Sequence, residues 1–193
     1  LRRTIIMANK DAAFGFKPVR HLSGGEIRTE EYKIASGYAE NIFTGSIVHA
    51  LAAGGIEAAA PADVQNVGTF AGCFYDDPTT SKPTYSAIWP TGTAADAVAY
   101  VYADPQIVFE AQHDGTGTSA MNFSGFDFVG VGGSTITGQS SSELDTSSSG
   151  TSGNFKQVGI SKDPDNSDEA TANANAYVVF NAAEHVYNLT TAI

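Results

Sequence analysis

The sequence predicts a mainly β fold. Short runs of β-branched and aromatic residues alternate with clusters of Gly, Asn, Asp, Ser and Thr, which is the pattern of strands separated by turns. The 20 glycines supply many turn positions, and the one Ala-rich stretch is interrupted by Gly54-Gly55 and followed by Pro61. The predicted strands span residues 32–35, 46–51, 67–75, 97–102, 106–112, 126–131, 155–160 and 176–181.

Two tight turns are predicted between neighbouring strands. Gly54-Gly55 favours a hairpin turn over a helix in the Ala-rich segment, because glycine adopts turn conformations without steric cost. Ala103-Asp104-Pro105 separates two strand runs and predicts a second hairpin, with Pro fixing φ. In the strand after it, Ile107, Phe109 and Ala111 alternate with a more polar set, which predicts a half-buried antiparallel strand.

The composition divides the chain into three parts. Residues 1–29 are predicted to be a leader and an extended N-terminal arm, 30–100 one β-rich lobe, and 101–193 a second β-rich lobe. Residues 140–153 contain nine Ser or Thr in fourteen positions, which predicts a surface loop. Trp89 is interpreted as a core residue between the lobes, with an exposed patch around Tyr85 and Ile88 as the alternative.

The charge is strongly acidic and unevenly distributed. The formal net charge is −11, which argues against binding nucleic acid or anionic membranes, since both require surplus cations. Seven of the ten cations lie in residues 1–33 against four acids, about +3. The remaining 160 residues hold three cations against 17 acids, about −14. No uncharged apolar run reaches 18 residues, so no transmembrane helix is predicted.

No motif predicts catalysis, a cofactor or a metal. Cys73 is the single cysteine and lies in an apolar strand, which indicates a buried, inert thiol. The four histidines lack metal-ligand spacing, and the acidic run at 163–169 lacks the glycine of a calcium loop, so a solvated turn is the favoured interpretation. There is no Gly-x-Ser-x-Gly elbow or phosphate-binding loop. We therefore expect a protein that is not an enzyme, although a cleft with two close carboxylates would indicate glycan hydrolysis.

Five stretches follow one another in a fixed order along the chain: residues 14–22 (FGFKPVRHL), 41–48 (NIFTGSIV), 67–73 (VGTFAGC), 138–145 (GQSSSELD) and 177–181 (YVVFN). Taken in this order, they resemble head decoration, or capsid cement, proteins of tailed bacteriophages, notably marine ones. The resemblance covers nearly the whole chain from Met7, and it rests on the order of the stretches, since none is specific by itself.

The resemblance implies a small antiparallel β-barrel in the first lobe and a virion protein on the outer capsid surface. Such a protein is assembled in the host cytoplasm and bridges neighbouring major-capsid subunits against the pressure of packaged DNA. Its expected partners are the major capsid protein and copies of itself, as a dimer or trimer, with no cofactor, nucleic acid or membrane. Another virion β protein, from the tail, fibre base or head fibre, is the first alternative, and a glycan-active enzyme is the second.

The N-terminal arm is the predicted contact with the capsid. Its apolar side chains would anchor an extended backbone, and its cations would meet an acidic partner. The alternative is that the arm folds back on its own body and that its two phenylalanines seal their own lobe. The candidate contact residues are Phe14, Phe16, Lys17, Pro18, Arg20 and Arg28.

Overall fold

The computed structural model describes residues 8–35, 37–90 and 97–188, so the predicted leader at 1–6 lies outside it. Within these ranges the fold is mainly β, as predicted, and its helical turns are three short 3₁₀ segments, Ser119–Met121, Thr146–Ser148 and Val186–Asn188. The strands are β1 (Lys17–His21), β2 (Glu30–Lys33), β3 (Ile42–Phe43), β4 (Ile47–Ala50), β5 (Ile56–Ala58), β6 (Asn66–Asp76), β7 (Pro83–Ser86), β8 (Ile88–Trp89), β9 (Val98–Tyr102), β10 (Ile107–Gln112), β11 (Gly125–Phe126), β12 (Phe128–Val129), β13 (Glu143–Leu144), β14 (Phe155–Ile160) and β15 (Asn175–Phe180).

A six-stranded antiparallel sheet forms the first lobe. Its order is β2-β9-β6-β4-β5, and β7 pairs with the far end of β6. The two ends of the sheet meet at a single parallel bridge between Ile34 and Ile56, where the Ala35 N–H donates to the Ile56 carbonyl at 2.9 Å. Among the described residues no continuous ladder closes this sheet, so the curved lobe is not the closed barrel that the resemblance implies.

A five-stranded antiparallel sheet of order β1-β10-β15-β14-β11 forms the second lobe. Aromatic side chains fill its core, where the Phe155 ring lies 4.6 Å from Phe180 and Phe180 packs edge to face on Phe109. Two short pairs, β12-β13 and β3-β8, complete the sheets. Ile47 and Ala59 of the first lobe belong to this same core, so the two lobes share buried surface.

One predicted hairpin is confirmed and the other is wrong. β4 and β5 pair around Gly54 and Gly55, which have φ of +82° and +94°. The Asp104-Pro105 turn exists, with the Ile107 N–H donating to the Asp104 carbonyl at 3.1 Å. However, β9 pairs with β2 and β6, whereas β10 pairs with β1 and β15. The turn therefore carries the chain from one sheet to the other, and β10 is antiparallel but buried on both faces, not half-buried.

The Ser/Thr-rich segment 140–153 is only in part the surface loop that its composition predicts, because residues 149–152 are exposed while three residues of its first half are buried. Ser140, Ser142 and Leu144 are at most 1 % exposed, and Leu144 lies in the second-lobe core. The serine hydroxyls are satisfied internally, because Ser140 Oγ and Ser142 Oγ lie 2.9 Å apart and Ser142 donates to the Gly130 carbonyl. A small hydroxyl with a partner can be buried at little cost, which composition alone does not reveal.

Trp89 is a core residue, as interpreted. Its side chain is 1 % exposed and packs edge to face against Tyr75, with ring centroids 5.5 Å apart. It lies inside the first-lobe core rather than between the lobes. Tyr85 is 64 % exposed and stands apart from this core.

Candidate functional site

The N-terminal arm ends as strand β1 of the second-lobe sheet. At Gly15 the arm crosses the segment that contains Gly45, and the Phe16 N–H donates to the Gly45 carbonyl at 2.9 Å. Both glycines have positive φ, +75° and +85°, and a Cβ on Gly15 would lie 2.7 Å from the Gly45 oxygen. This crossing explains physically why glycines are needed in the stretches FGF and FTG.

Phe16 is fully buried and seals its own lobe. Its ring stacks on Phe155 at a centroid distance of 4.2 Å and meets Phe128 edge to face. This position is the one that the fold-back alternative describes, and it leaves no surface of Phe16 for a partner. Phe16 therefore fixes β1 to the body instead of contacting another protein.

The other candidate residues of the arm remain at least partly accessible. Phe14 and Pro18 are half-buried, whereas Lys17 and Arg20 are exposed. Arg28 is also exposed but pairs with Glu26 at 2.9 Å. The structure therefore gathers Phe14, Lys17 and Pro18 in one region, with Arg20 farther along the same strand.

The outer edge of β1 is free of pairing. In the described ranges β1 pairs only with β10, so its second edge has no strand beside it. No carboxylate of those ranges lies within 4 Å of the Lys17 or Arg20 charge. The edge thus presents backbone groups beside two cations that form no ion pair within 4 Å among the described residues, in a protein whose net charge is −11. Lys17 stands opposite Glu110 in the β1–β10 ladder, whereas Arg20 stands opposite Val108.

A side-chain network that the sequence did not reveal anchors the beginning of the arm. The Asn9 amide donates to the carbonyls of Asp168 at 2.7 Å and Ala172 at 2.9 Å. The Asn166 amide donates to the Lys10 carbonyl at 2.7 Å, and Gln112 donates to the same carbonyl at 2.9 Å. The beginning of the arm therefore binds to the acidic run at 163–169. Sequence reasoning missed this contact because it joins residues more than 100 positions apart.

A cleft of about 540 Å³ lies beside the arm, between elements of both lobes. Two buried rings, Phe16 and Phe70, are in its lining. The remaining lining residues are Phe14, Lys17, Pro18, Thr44, Gly45, Tyr102, Glu110, Gln139, Asp163 and Asn175. Three of the accessible arm candidates, Phe14, Lys17 and Pro18, thus border one concave surface.

Ser161 connects the Glu110 carboxylate of this cleft to the backbone of Asp163. The Ser161 hydroxyl donates to Glu110 Oε1 at 2.5 Å and accepts the Asp163 N–H at 3.3 Å. Asp163 Oδ1 also accepts the Asp165 N–H at 3.0 Å. The cleft therefore combines apolar rings with two acids and one lysine, which disfavours an anionic occupant.

His21, Ser23 and Asp104 form a hydroxyl–imidazole–carboxylate series at the end of β1. His21 Nδ1 lies 2.9 Å from Ser23 Oγ, and His21 Nε2 lies 2.9 Å from Asp104 Oδ2. Burial raises the pKa of Asp104, but hydrogen bonds from Gln106 N–H and His21 outweigh it and hold the pKa below its usual value. Because Nδ1 also accepts the Ser23 backbone N–H and none of the three lines the cleft, we interpret this set as a clamp for the arm.

The remaining candidate groups serve the interior. Burial raises the pKa of the Cys73 thiol to about 12, so the inert thiol is confirmed. His49 pairs with Glu57 at 3.0 Å, and His113 Nε2 donates to Gln157 Oε1 at 2.9 Å. Across residues 8–35, 37–90 and 97–188, no group of three or more His, Cys, Asp or Glu is placed to hold a metal ion.

Comparisons with known proteins identify no relative of this chain. No protein-family model, curated protein or solved structure matches this chain. Among the described residues, no helix has the length and apolarity needed to cross a bilayer.

Proposed function

We propose that this chain is a virion structural protein that binds the outer surface of a bacteriophage capsid and cements neighbouring major-capsid subunits. The observation that carries the proposal is the open, cationic edge of β1. Lys17 and Arg20 stand there without an ion-pair partner among the described residues, on a protein that is otherwise strongly acidic.

The edge suits an extended, acidic segment of a capsid subunit. An unpaired strand edge can add a strand from another chain through backbone hydrogen bonds, and the two cations would select acidic side chains in that strand. Phe14 and Pro18, which are half-buried, line the adjacent cleft and are not assigned to this contact. Because many copies bind a symmetric lattice, modest contacts at each copy sum to a large stabilisation of the shell.

Charge reversal on β1 tests the proposal more cleanly than removal of the arm. Deleting residues 7–22 would take Phe16 out of the core, so loss of binding would report unfolding. Arg20→Glu and Lys17→Gln/Arg20→Glu leave that core intact, and Gln at position 17 avoids a like charge opposite Glu110 in the β1–β10 ladder. We expect the double variant to bind undecorated shells of the encoding virus at least about tenfold more weakly, measured by co-sedimentation.

Lys82→Gln/Lys156→Glu is the matched control, since it makes the same change of charge at exposed sites away from β1. We expect the control to bind like the wild type, and we expect added salt to weaken wild-type binding. Equal binding by wild type and the β1 variant, or equal loss in the control, would contradict attachment through this edge. A protein found on the tail rather than the head would support the alternative virion location.

Glycan hydrolysis is the second candidate, because Glu110 and Asp163 line the same cleft. Such enzymes use a pair of carboxylates on either side of the scissile bond. Release of reducing sugar from bacterial surface polysaccharide would support this candidate if both Glu110→Gln and Asp163→Asn abolished it. The absence of release by the wild type would exclude it.

A further inference from the structure

A rigid loop tip, residues 134–138, carries the most exposed large apolar side chain among the described residues. Ile136 is 95 % exposed, and Val131, a few residues earlier in the same loop, is 52 % exposed. Burying an isoleucine on binding is strongly favourable, because it removes its apolar surface from water. An exposed isoleucine at a loop tip is therefore a candidate anchor for a partner.

The tip is held in one conformation by its own hydrogen bonds. The Gly138 N–H donates to the Ser134 carbonyl at 2.8 Å, and Ser134 Oγ accepts the N–H groups of Ile136 at 3.3 Å and Thr137 at 3.2 Å. The base is fixed to the first lobe, where the Thr44 N–H donates to the Gly138 carbonyl at 2.9 Å. Since the loop is already ordered, it loses little conformational entropy on binding.

The tip is also free of charge. Residues 128–142 contain no Asp, Glu, Lys or Arg, in a protein of net charge −11. Two copies of the chain repel each other over most of their surfaces. The tip is a place where a second copy can approach without bringing like charges together.

The cleft beside the arm offers a matching cavity. Its volume of about 540 Å³ exceeds that of an isoleucine side chain, and its accessible apolar surface comes from the half-buried Phe14, Pro18 and Tyr102. The carboxylates in its lining disfavour an anionic ligand but not a neutral loop. An uncharged apolar tip and a cleft with an accessible apolar side are therefore both present on one chain.

We propose that two copies form a dimer in which the 134–138 tip of each inserts Ile136 into the cleft of the other. Gln139, which directly follows the tip, lines the cleft, and so does Thr44, which binds the base of the tip. Tip and cleft thus lie side by side on each copy. A two-fold axis between two copies would place the tip of each in the cleft of the other at the same time. The dimer rests on the self-association that the proposed function includes, and it names the surface responsible.

Sedimentation velocity of the free protein tests the dimer without any capsid. We expect wild-type protein to dimerise, and we expect Ile136→Asp to raise the dissociation constant about 30-fold or more, the size of a central interface residue. Val64→Asp is the matched control, since Val64 is 54 % exposed and lies outside the tip and the cleft. A monomeric wild type, or an equal effect of the control, would overturn the inference.

Disulfide trapping tests the pairing itself. Ile136→Cys protein is mixed with Phe14→Cys protein and oxidised, and only contact between two different copies can link the two new thiols. We expect a mixed disulfide dimer from this pair and none from Val64→Cys with Phe14→Cys, while Cys73 stays buried in both. Absence of the mixed dimer would overturn the inference. A wild-type protein that is monomeric and still binds shells would also overturn the dimer, but it would not contradict the proposed function.

Discussion

Two buried histidines show how single residues set the response of this protein to pH. Burial lowers the pKa of His185 to about 4, although hydrogen bonds with backbone at Val67 and Ala103 and the charge of Asp104 oppose the shift. Burial also lowers the pKa of His113, against the hydrogen bond to Gln157. Both imidazoles are therefore neutral in the folded protein at neutral pH.

The free energy of unfolding is expected to fall as the pH is lowered from about 6.5 towards 4. In that window the unfolded chain protonates His185 and the folded chain does not, so acid favours unfolding. Above pH 6.5 both states hold the neutral form, and His185 makes no pH-dependent contribution. The folded-state pKa of about 4 corresponds to a loss of about 3 kcal/mol at most.

Urea unfolding at pH 7, 5.5 and 4.5 measures this loss, with His185→Gln as the comparison. We expect the variant to lose less stability than the wild type between pH 7 and 4.5, with the remaining loss shared by the other groups of lowered pKa, among them His113 and Asp104. Parallel curves for the two proteins would show that His185 is not protonated selectively in the unfolded chain.

At the scale of elements, the sequence located nine of the fifteen described strands but not their partners, and it missed β1, β3, β5, β7, β8 and β13. Every predicted strand run overlaps an observed strand, and 155–160 coincides with β14. Yet β9 and β10, joined by a short turn, belong to different sheets. β9 pairs with β2 and β6, and β10 pairs with β1 and β15. These pairings depend on burial between segments far apart in the chain, which no local sequence pattern encodes.

Segment 140–153 gives a direct test of this difference between composition and packing. We expect Leu144→Ala to destabilise the protein by about 2–5 kcal/mol, because it leaves a cavity in the second-lobe core. Ser149→Ala, at an exposed position of the same segment, is expected to change stability by less than about 0.5 kcal/mol. Urea denaturation monitored by far-ultraviolet circular dichroism makes the comparison, and similar midpoints for both variants would contradict the buried position of Leu144.

At the scale of the whole molecule, three connections bind the two lobes together. The arm crosses the first lobe at Gly45 before it joins the second-lobe sheet. Gln139 bridges to Thr44, and the C-terminal segment returns to the first lobe, where the Asn66 N–H donates to the Glu184 carbonyl at 2.8 Å. With Ile47 in the second-lobe core as well, neither lobe completes its packing alone.

The two lobes are therefore expected to unfold in one transition. Trp89, the single tryptophan, reports on the first lobe, and circular dichroism reports on both sheets. We expect the two signals to give the same urea midpoint, and we expect Leu144→Ala in the second lobe to lower the Trp89 midpoint as well. Separate midpoints would show that the lobes unfold independently.

By itself the sequence determined the β class, most strand positions, the burial of Cys73 and Trp89, and the charge asymmetry. These depend on local composition and on total charge, which fold topology does not change. Only the tertiary structure decided that Phe16 belongs to the core while Lys17 and Arg20 stay at an open edge, and that Leu144 is buried within a serine-rich segment. The physical reason is that burial and strand pairing join residues far apart in the chain, so a side chain's role depends on what the fold brings to it.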